Sequence, residues 1–123
     1  MKYSVSVRSS FSSAHRVKLP NGDWEPLHGH NYKVEVCISS DKLDDNGMVI
    51  DFLLLKEALD SVVSKLHNSN LNENSYITSK VDIPTAENLG LFILKEVEGI
   101  IGRKVSYVKI YETDDFFVVV RSD

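Results

Sequence analysis

The chain has 123 residues, of which 42% are hydrophobic and 26% charged, a balance that suits one globular domain spanning residues 1–123. Its net charge of −4 argues against a nucleic-acid partner, and its single cysteine cannot form an internal disulfide. No apolar run approaches bilayer length and the N-terminus lacks a signal-peptide core, so the expected setting is cytoplasmic, with no membrane partner.

Taken in order, Tyr3, Val5 and Val7 alternate with Ser4, Ser6 and Arg8, the pattern of a half-buried strand that continues through Phe11 to His15. Pro20, Asn21-Gly22 and Pro26 mark a loop. A second strand turns Tyr32, Val34, Val36 and Ile38 inward and Lys33, Glu35 and Cys37 outward, and Asn46-Gly47 signals a turn. Asp51 is an expected N-cap, followed by a helical stripe of Phe52, Leu55, Leu59, Val62, Val63 and Leu66. A polar stretch covers 68–79. Pro84-Thr85 then opens a second helix, with Thr85 as N-cap, Leu89, Phe92, Ile93 and Val97 on its buried side, and Gly99 or Gly102 at its end. Two further strands over 104–113 and 116–121 turn at Asp114-Asp115. The order ββααββ predicts an α+β fold, a four-stranded antiparallel sheet with two helices on one face. The last strand is apolar on both sides, so its outer face is expected to meet another subunit.

Three of the four histidines, His15, His28 and His30, fall in one stretch. Residues two apart on a strand share a face, so His28 and His30 can reach one ion, and the strand ending at His15 pairs back beside them. A His-x-His pair is common without a metal. Three imidazoles with no fourth protein ligand are the pattern of a catalytic zinc, which keeps one position open.

Five segments occur in register: Phe11-Ser-Ser-Ala-His15, Leu27-His-Gly-His-Asn-Tyr32, Gly47-Met-Val-Ile-Asp-Phe52, Pro84-Thr-Ala-Glu-Asn88 and Tyr111-Glu-Thr113. Together they resemble the signatures of the 6-pyruvoyltetrahydropterin synthase family, which includes the 6-carboxytetrahydropterin synthases. The resemblance implies the tunnelling fold, a homo-oligomer of one trimer or two stacked trimers, and Zn2+ held by His15, His28 and His30. It also implies a dihydropterin bound between subunits, its amino-pyrimidine edge on Glu112. A carboxylate there can accept two parallel hydrogen bonds, although a glutamate at a strand end can also be merely a surface residue. Thr85 and Glu87 lie beside the pterin pocket in the family; by local structure alone they are a helix cap and an acid that compensates the helix dipole.

Two departures bear on the reaction. Family synthases carry a cysteine base shortly before His-Gly-His, where this chain has Gly22 and Trp24 at the two family spacings. Cys37 is no substitute, lying seven residues beyond His30, roughly 23 Å along a strand. The family's Leu-Asp-His segment reads Leu66-His67-Asn68 here, so asparagine stands where the catalytic histidine is expected. His67 is a candidate for that proton relay from one residue earlier, a rotation of about 100° on a helix, or else a solvated histidine at a helix end.

Glu25 remains, three residues before His28. It resembles a family subset in which glutamate replaces the cysteine and the side chain of 7,8-dihydroneopterin is cleaved to 6-hydroxymethyl-7,8-dihydropterin. The alternatives are a synthase acting on 7,8-dihydroneopterin triphosphate, for which Arg16 and Lys18 offer a modest basic pair, and a pterin-binding protein without turnover. Otherwise Glu25 is a loop carboxylate beside Pro26.

Overall fold

The computed structural model describes residues 1–122; Asp123, inside the expected domain, lies outside the described residues. The elements are β1 (Tyr3–His15), β2 (His28–Ser40), α1 (Phe52–Ser64), β3 (Ser69–Asn70), α2 (Ser75–Thr78), α3 (Ala86–Ile101), β4 (Tyr107–Tyr111) and β5 (Phe117–Arg121). The sheet order is β3-β1-β2-β4-β5, antiparallel except where β3 runs parallel to β1.

The expected four strands and two long helices are present. The polar stretch adds two short elements, the two-residue β3 and the single helical turn α2. Asn68 takes a left-handed φ of 54°, its N–H donates to the Ser12 carbonyl, and Leu71 N–H donates to the Ala14 carbonyl, so this stretch is laid along the free edge of β1. The third expected strand is shorter than 104–113, because the chain pairs with β2 only from Tyr107 to Tyr111.

Both long helices begin as their sequences require. The Asp51 carboxylate accepts from Leu53 N–H at 2.8 Å, and Thr85 Oγ1 accepts from Asn88 N–H at 3.1 Å. Gly102, not Gly99, ends α3, at φ 70°, where a residue with a side chain would be strained. The stripe of α1 is narrower than its sequence suggests. Leu55, Leu59, Val62 and Val63 are buried, whereas Phe52 is 63% exposed; Leu66 is buried, but from the turn after the helix. On α3, Gly90 faces β5 so closely that a Cβ there would sit 2.8 Å from Val120 Cγ2, and the missing side chain lets the helix rest on the sheet.

Phe11, Tyr32, Val34, Val36, Ile38, Val108 and Ile110 form the sheet's contribution to the core beneath α1 and α3. On the other face, Glu35 and Cys37 point away from the helices as expected, yet both are buried within the sheet's own polar layer. Glu35 Oε1 accepts from Arg8 Nε at 2.8 Å, its Oε2 accepts from the Tyr107 hydroxyl at 2.7 Å, and Lys109 Nζ stands 3.8 Å away. No helix is long and apolar enough to cross a membrane among the described residues.

Burial alone would raise the pKa of Glu35, but the hydrogen bonds from Tyr107 and Arg8 and the charge of Lys109 outweigh it and hold the carboxyl below its ordinary range. A depressed folded-state pKa stabilises the fold above the unfolded value, and the contribution is lost as pH falls through the folded one. Glu35→Gln is therefore expected to cost about 1–3 kcal/mol at neutral pH, and the gap to wild type should close in acid. Urea midpoints measured from pH 7 down to pH 3 check this; a gap that does not narrow would place the effect in packing rather than charge.

Candidate active site

The antiparallel pairing of β1 and β2 sets Phe11 opposite Tyr32, Ser13 opposite His30 and His15 opposite His28. Side chains of one parity point to the helix side, so the three imidazoles extend the core face to its rim. Their ring centroids are 4.8 Å apart for His15–His28 and His28–His30, and 5.1 Å for His15–His30, with each pair edge to face. Each offers one ligand atom, all within 4.8 Å of one another.

Two rings are oriented from behind by carbonyls. His15 Nδ1–H donates to the Pro84 carbonyl at 2.7 Å, and His28 Nδ1–H to the Pro26 carbonyl at 2.9 Å. With Nδ1 carrying the proton, Nε2 keeps its lone pair for the centre of the cluster. His30 Nε2 is buried and has no hydrogen-bond partner among the described residues. Burial lowers the His30 pKa, His15 and His28 lower it further, and Glu112 and Glu25 oppose, so the ring is held neutral. An orphaned buried nitrogen beside two aligned imidazoles fits a divalent transition metal such as zinc.

Two carboxylates flank the cluster. Glu112 follows β4, where its N–H donates to the Phe116 carbonyl; its Oε1 is 3.9 Å from His15 Nε2 and its Oε2 3.6 Å from His30 Nε2. Glu25 Oε1 lies 3.6 Å from His28 Nε2 and accepts from Val17 N–H at 3.1 Å. Thus Glu25 and Glu112, far apart in sequence, approach the same three rings.

Glu112 also lines a cavity of about 300 Å³ together with Glu87, Asp115, Phe116 and Phe117. Two glutamates beside aromatic rings offer acceptors and a flat apolar wall. Thr85 is adjacent, but its hydroxyl is engaged in capping α3. His67 is not brought to the cluster: its Nδ1 accepts from Ser12 N–H at 3.1 Å at the edge of the sheet.

Three participants escaped the sequence reading. The Pro84 and Pro26 carbonyls carry no side-chain signal. Tyr32, read only as core, presses edge-on against His30 and His15 at centroid distances of 5.4 and 5.8 Å. Its hydroxyl is buried without a partner among the described residues, and burial, then the charges of Glu112 and Glu25, raise its pKa. The two-residue period that runs His28, His30, Tyr32 is the signal that could have found it.

Residues 4–123 match the family model for 6-pyruvoyl tetrahydropterin synthase. The chain belongs to that family. It is 38% identical over 117 residues to a putative 6-carboxy-5,6,7,8-tetrahydropterin synthase from Archaeoglobus fulgidus, covering 95% of this chain and 94% of that one. It is 39% identical over 97 residues to a dihydroneopterin monophosphate aldolase from Pyrococcus furiosus, covering 79% and 76%. In fold it resembles a Plasmodium vivax 6-pyruvoyltetrahydropterin synthase solved as a catalytic-residue mutant with glutamate replaced by alanine, with a TM-score of 0.81, 23% identity, and 100% and 99% coverage. Family membership makes a pterin enzyme the general reading, and the α+β architecture is the tunnelling fold of these relatives.

If the carbonyls set the tautomers, titrating a divalent metal into the protein should shift the Nε2 resonances of His15, His28 and His30. The Nδ1 protons of His15 and His28 should remain hydrogen-bonded. Heteronuclear NMR of the imidazoles checks this, and ligation through Nδ1 would contradict the orientation.

Proposed function

We propose that the chain is a zinc-dependent lyase that cleaves the side chain of 7,8-dihydroneopterin, or of its phosphate, to give 6-hydroxymethyl-7,8-dihydropterin. The observation that carries this reading is the Glu25 carboxylate 3.6 Å from His28 Nε2 in a chain lacking the family's cysteine base. The name of the aldolase from Pyrococcus furiosus, a relative 39% identical over 97 residues, supports cleavage of the side chain.

His15, His28 and His30 would hold the metal through Nε2. Zinc bound there supplies a Lewis-acid charge that eases ionisation of a side-chain hydroxyl. Glu112 anchors the amino-pyrimidine edge of the ring, with Glu87 on the same cavity. Glu25 accepts the proton of the 2′ hydroxyl. As that oxygen becomes an aldehyde oxygen, the bond between C1′ and C2′ breaks and its electron pair moves into the C6=N5 imine. A proton returned to C1′ leaves a hydroxymethyl group, and glycolaldehyde departs. One base and the pterin's own electron sink suffice, so asparagine at position 68 does not block this reaction. Ser12 already uses the Nδ1 lone pair of His67, which supports placing that ring off the reaction line.

The second reading is a synthase acting on dihydroneopterin triphosphate, favoured by the name of the relative from Archaeoglobus fulgidus. We also propose a homo-oligomeric working form, a trimer or two trimers. Its support is the edge strand β5, where Phe117 is 51% exposed and Phe116, just before it, 70% exposed beside the Glu112 cavity.

Glu25→Gln should retain metal and pterin yet lose about 10²–10⁴ in kcat for dihydroneopterin cleavage, while His67→Ala costs far less. Steady-state kinetics with product chromatography decides. Undiminished cleavage by Glu25→Gln removes it as base, and a wild type that converts only the triphosphate gives the synthase reading. Glu112→Gln should raise the dissociation constant for pterin about tenfold without releasing metal, measured by calorimetry and metal analysis.

A further inference from the structure

Two buried side-chain polar atoms have no hydrogen-bond partner among the described residues, His30 Nε2 and the Tyr32 hydroxyl. Both side chains lie on the helix side of β2, two residues apart, with ring centroids 5.4 Å apart. Buried polar groups in folded proteins are paired almost without exception, so two orphans side by side point to one ligand that serves both. A metal would take the lone pair of His30 Nε2. The Tyr32 hydroxyl is a donor, and nothing assigned so far receives it.

Tyr32 is fully buried, and packing alone does not call for its oxygen. Its ring stacks on Phe11, with centroids 4.8 Å apart and planes 14° apart, an arrangement a phenylalanine would make equally well. The same ring meets His30 and His15 edge to face, at interplanar angles of 73° and 87°. His15 lies on the neighbouring strand, four residues beyond the Phe11 that pairs with Tyr32. Four residues of strand span roughly 13 Å, so a centroid distance of 5.8 Å requires the phenol to lean along the sheet toward the cluster. The hydroxyl is at the far end of that reach. After burial, the charges that bear on it are those of Glu112 and Glu25, the carboxylates flanking the cluster, and all three influences keep the proton on the oxygen. Tyr32 is thus a donor held beside the histidine nitrogens.

We propose that Tyr32 is a positioning residue for the oxygen atom that completes the histidine cluster: its hydroxyl donates a hydrogen bond to that oxygen, whether it belongs to water or to a side-chain hydroxyl of the substrate. This inference rests on the reading of the three histidines as a metal site, and it is indifferent to the choice between lyase and synthase. A metal alone would satisfy His30 Nε2 and leave the Tyr32 hydroxyl orphaned. A metal carrying an oxygen ligand satisfies both, because the metal takes the imidazole lone pair and the oxygen accepts from the phenol. A ligand bearing a hydroxyl is thereby favoured over an analogue without it, which would leave the donor buried and unpaired.

The test is Tyr32→Phe, which removes one oxygen and keeps the ring. Without metal, the variant should unfold in urea no earlier than wild type, because an unpaired buried hydroxyl contributes nothing that phenylalanine lacks. With zinc, it should bind the ion about 10-fold more weakly in competition with a chelator. Cobalt(II) gives a spectroscopic readout: its visible absorption should differ between wild type and variant while the Nε2 resonances of the three histidines still report ligation. In wild type carrying carbon-13 at tyrosine Cζ, the Tyr32 signal should move when zinc is added, a measurement that needs no variant. Equal zinc affinities with equal cobalt spectra overturn the proposal. So does a variant much less stable without metal, which would make the hydroxyl a structural donor. Weakened pterin binding in a variant that holds zinc normally also overturns it, by assigning the hydroxyl to the ring or to Glu112. A wild type that binds no metal instead defeats the metal reading itself, and the proposal with it.

Discussion

The register of β1 on β2 is the constraint from which the candidate site follows. Thirteen residues of each strand pair, and every cross-strand pair from Tyr3–Ser40 to His15–His28 depends on the same alignment. A slip of one residue would turn Phe11 and Tyr32 out of the core and carry the imidazoles out of alignment, so the apolar pairs secure the histidine register. The stack of Phe11 on Tyr32, with centroids 4.8 Å apart, sits next to the cluster and couples burial to the geometry of the rings. Ser13, between Phe11 and His15, donates its hydroxyl to the Leu66 carbonyl and ties the same strand to the end of α1.

Helix α3 makes the second connection. Its entrance serves two purposes within a few residues: the Pro84 carbonyl receives His15 Nδ1–H, and Glu87 in the first turn reaches the cavity shared with Glu112. Proline before the cap fixes the backbone where that carbonyl must point, and Thr85 satisfies an N–H that would otherwise be orphaned. A displacement of α3 would therefore move the carbonyl that orients His15 and the Glu87 carboxylate of the cavity together. Gly90, which lets the helix lie close to Val120, belongs to the same argument, since added bulk there would lift the helix from the sheet.

How much of this could be read from the chain depended on whether the information was periodic or spatial. The three histidines were legible because His28 and His30 keep the strand's two-residue period, and the helix starts were legible because Asp51 and Thr85 cap within three residues. Strand β3 was not, because two residues cannot display a period; its existence rests on backbone bonds from 68 and 71 to β1. Phe52 was misread for the opposite reason: Phe52, Leu53, Leu54 and Leu55 are all apolar, and the pattern does not say that only Leu55 is buried. At the site, Glu112 and Glu25 were legible as residue types in motifs. Their common approach to one cluster is a tertiary fact, as is the carbonyl of Pro84 behind His15, 69 residues away.

The two carboxylates at the cluster differ in surroundings, which is what the proposed division of roles rests on. Glu112 stands across His15 and His30, one oxygen toward each ring, and also lines a cavity with aromatic walls. Glu25 faces His28, the most exposed of the three rings, and is held by a backbone N–H in the loop between β1 and β2. That hydrogen bond fixes the carboxylate's direction while leaving lone pairs on both oxygens. A thiol at the family's position could act as a base without such support, because its basicity lies near neutral pH. A carboxylate is a weaker base, and its usefulness depends on a positive charge that makes the substrate hydroxyl more acidic. On the proposed reading, glutamate in place of cysteine would tie proton removal more closely to metal occupancy, and the oriented histidines would hold that metal beside it.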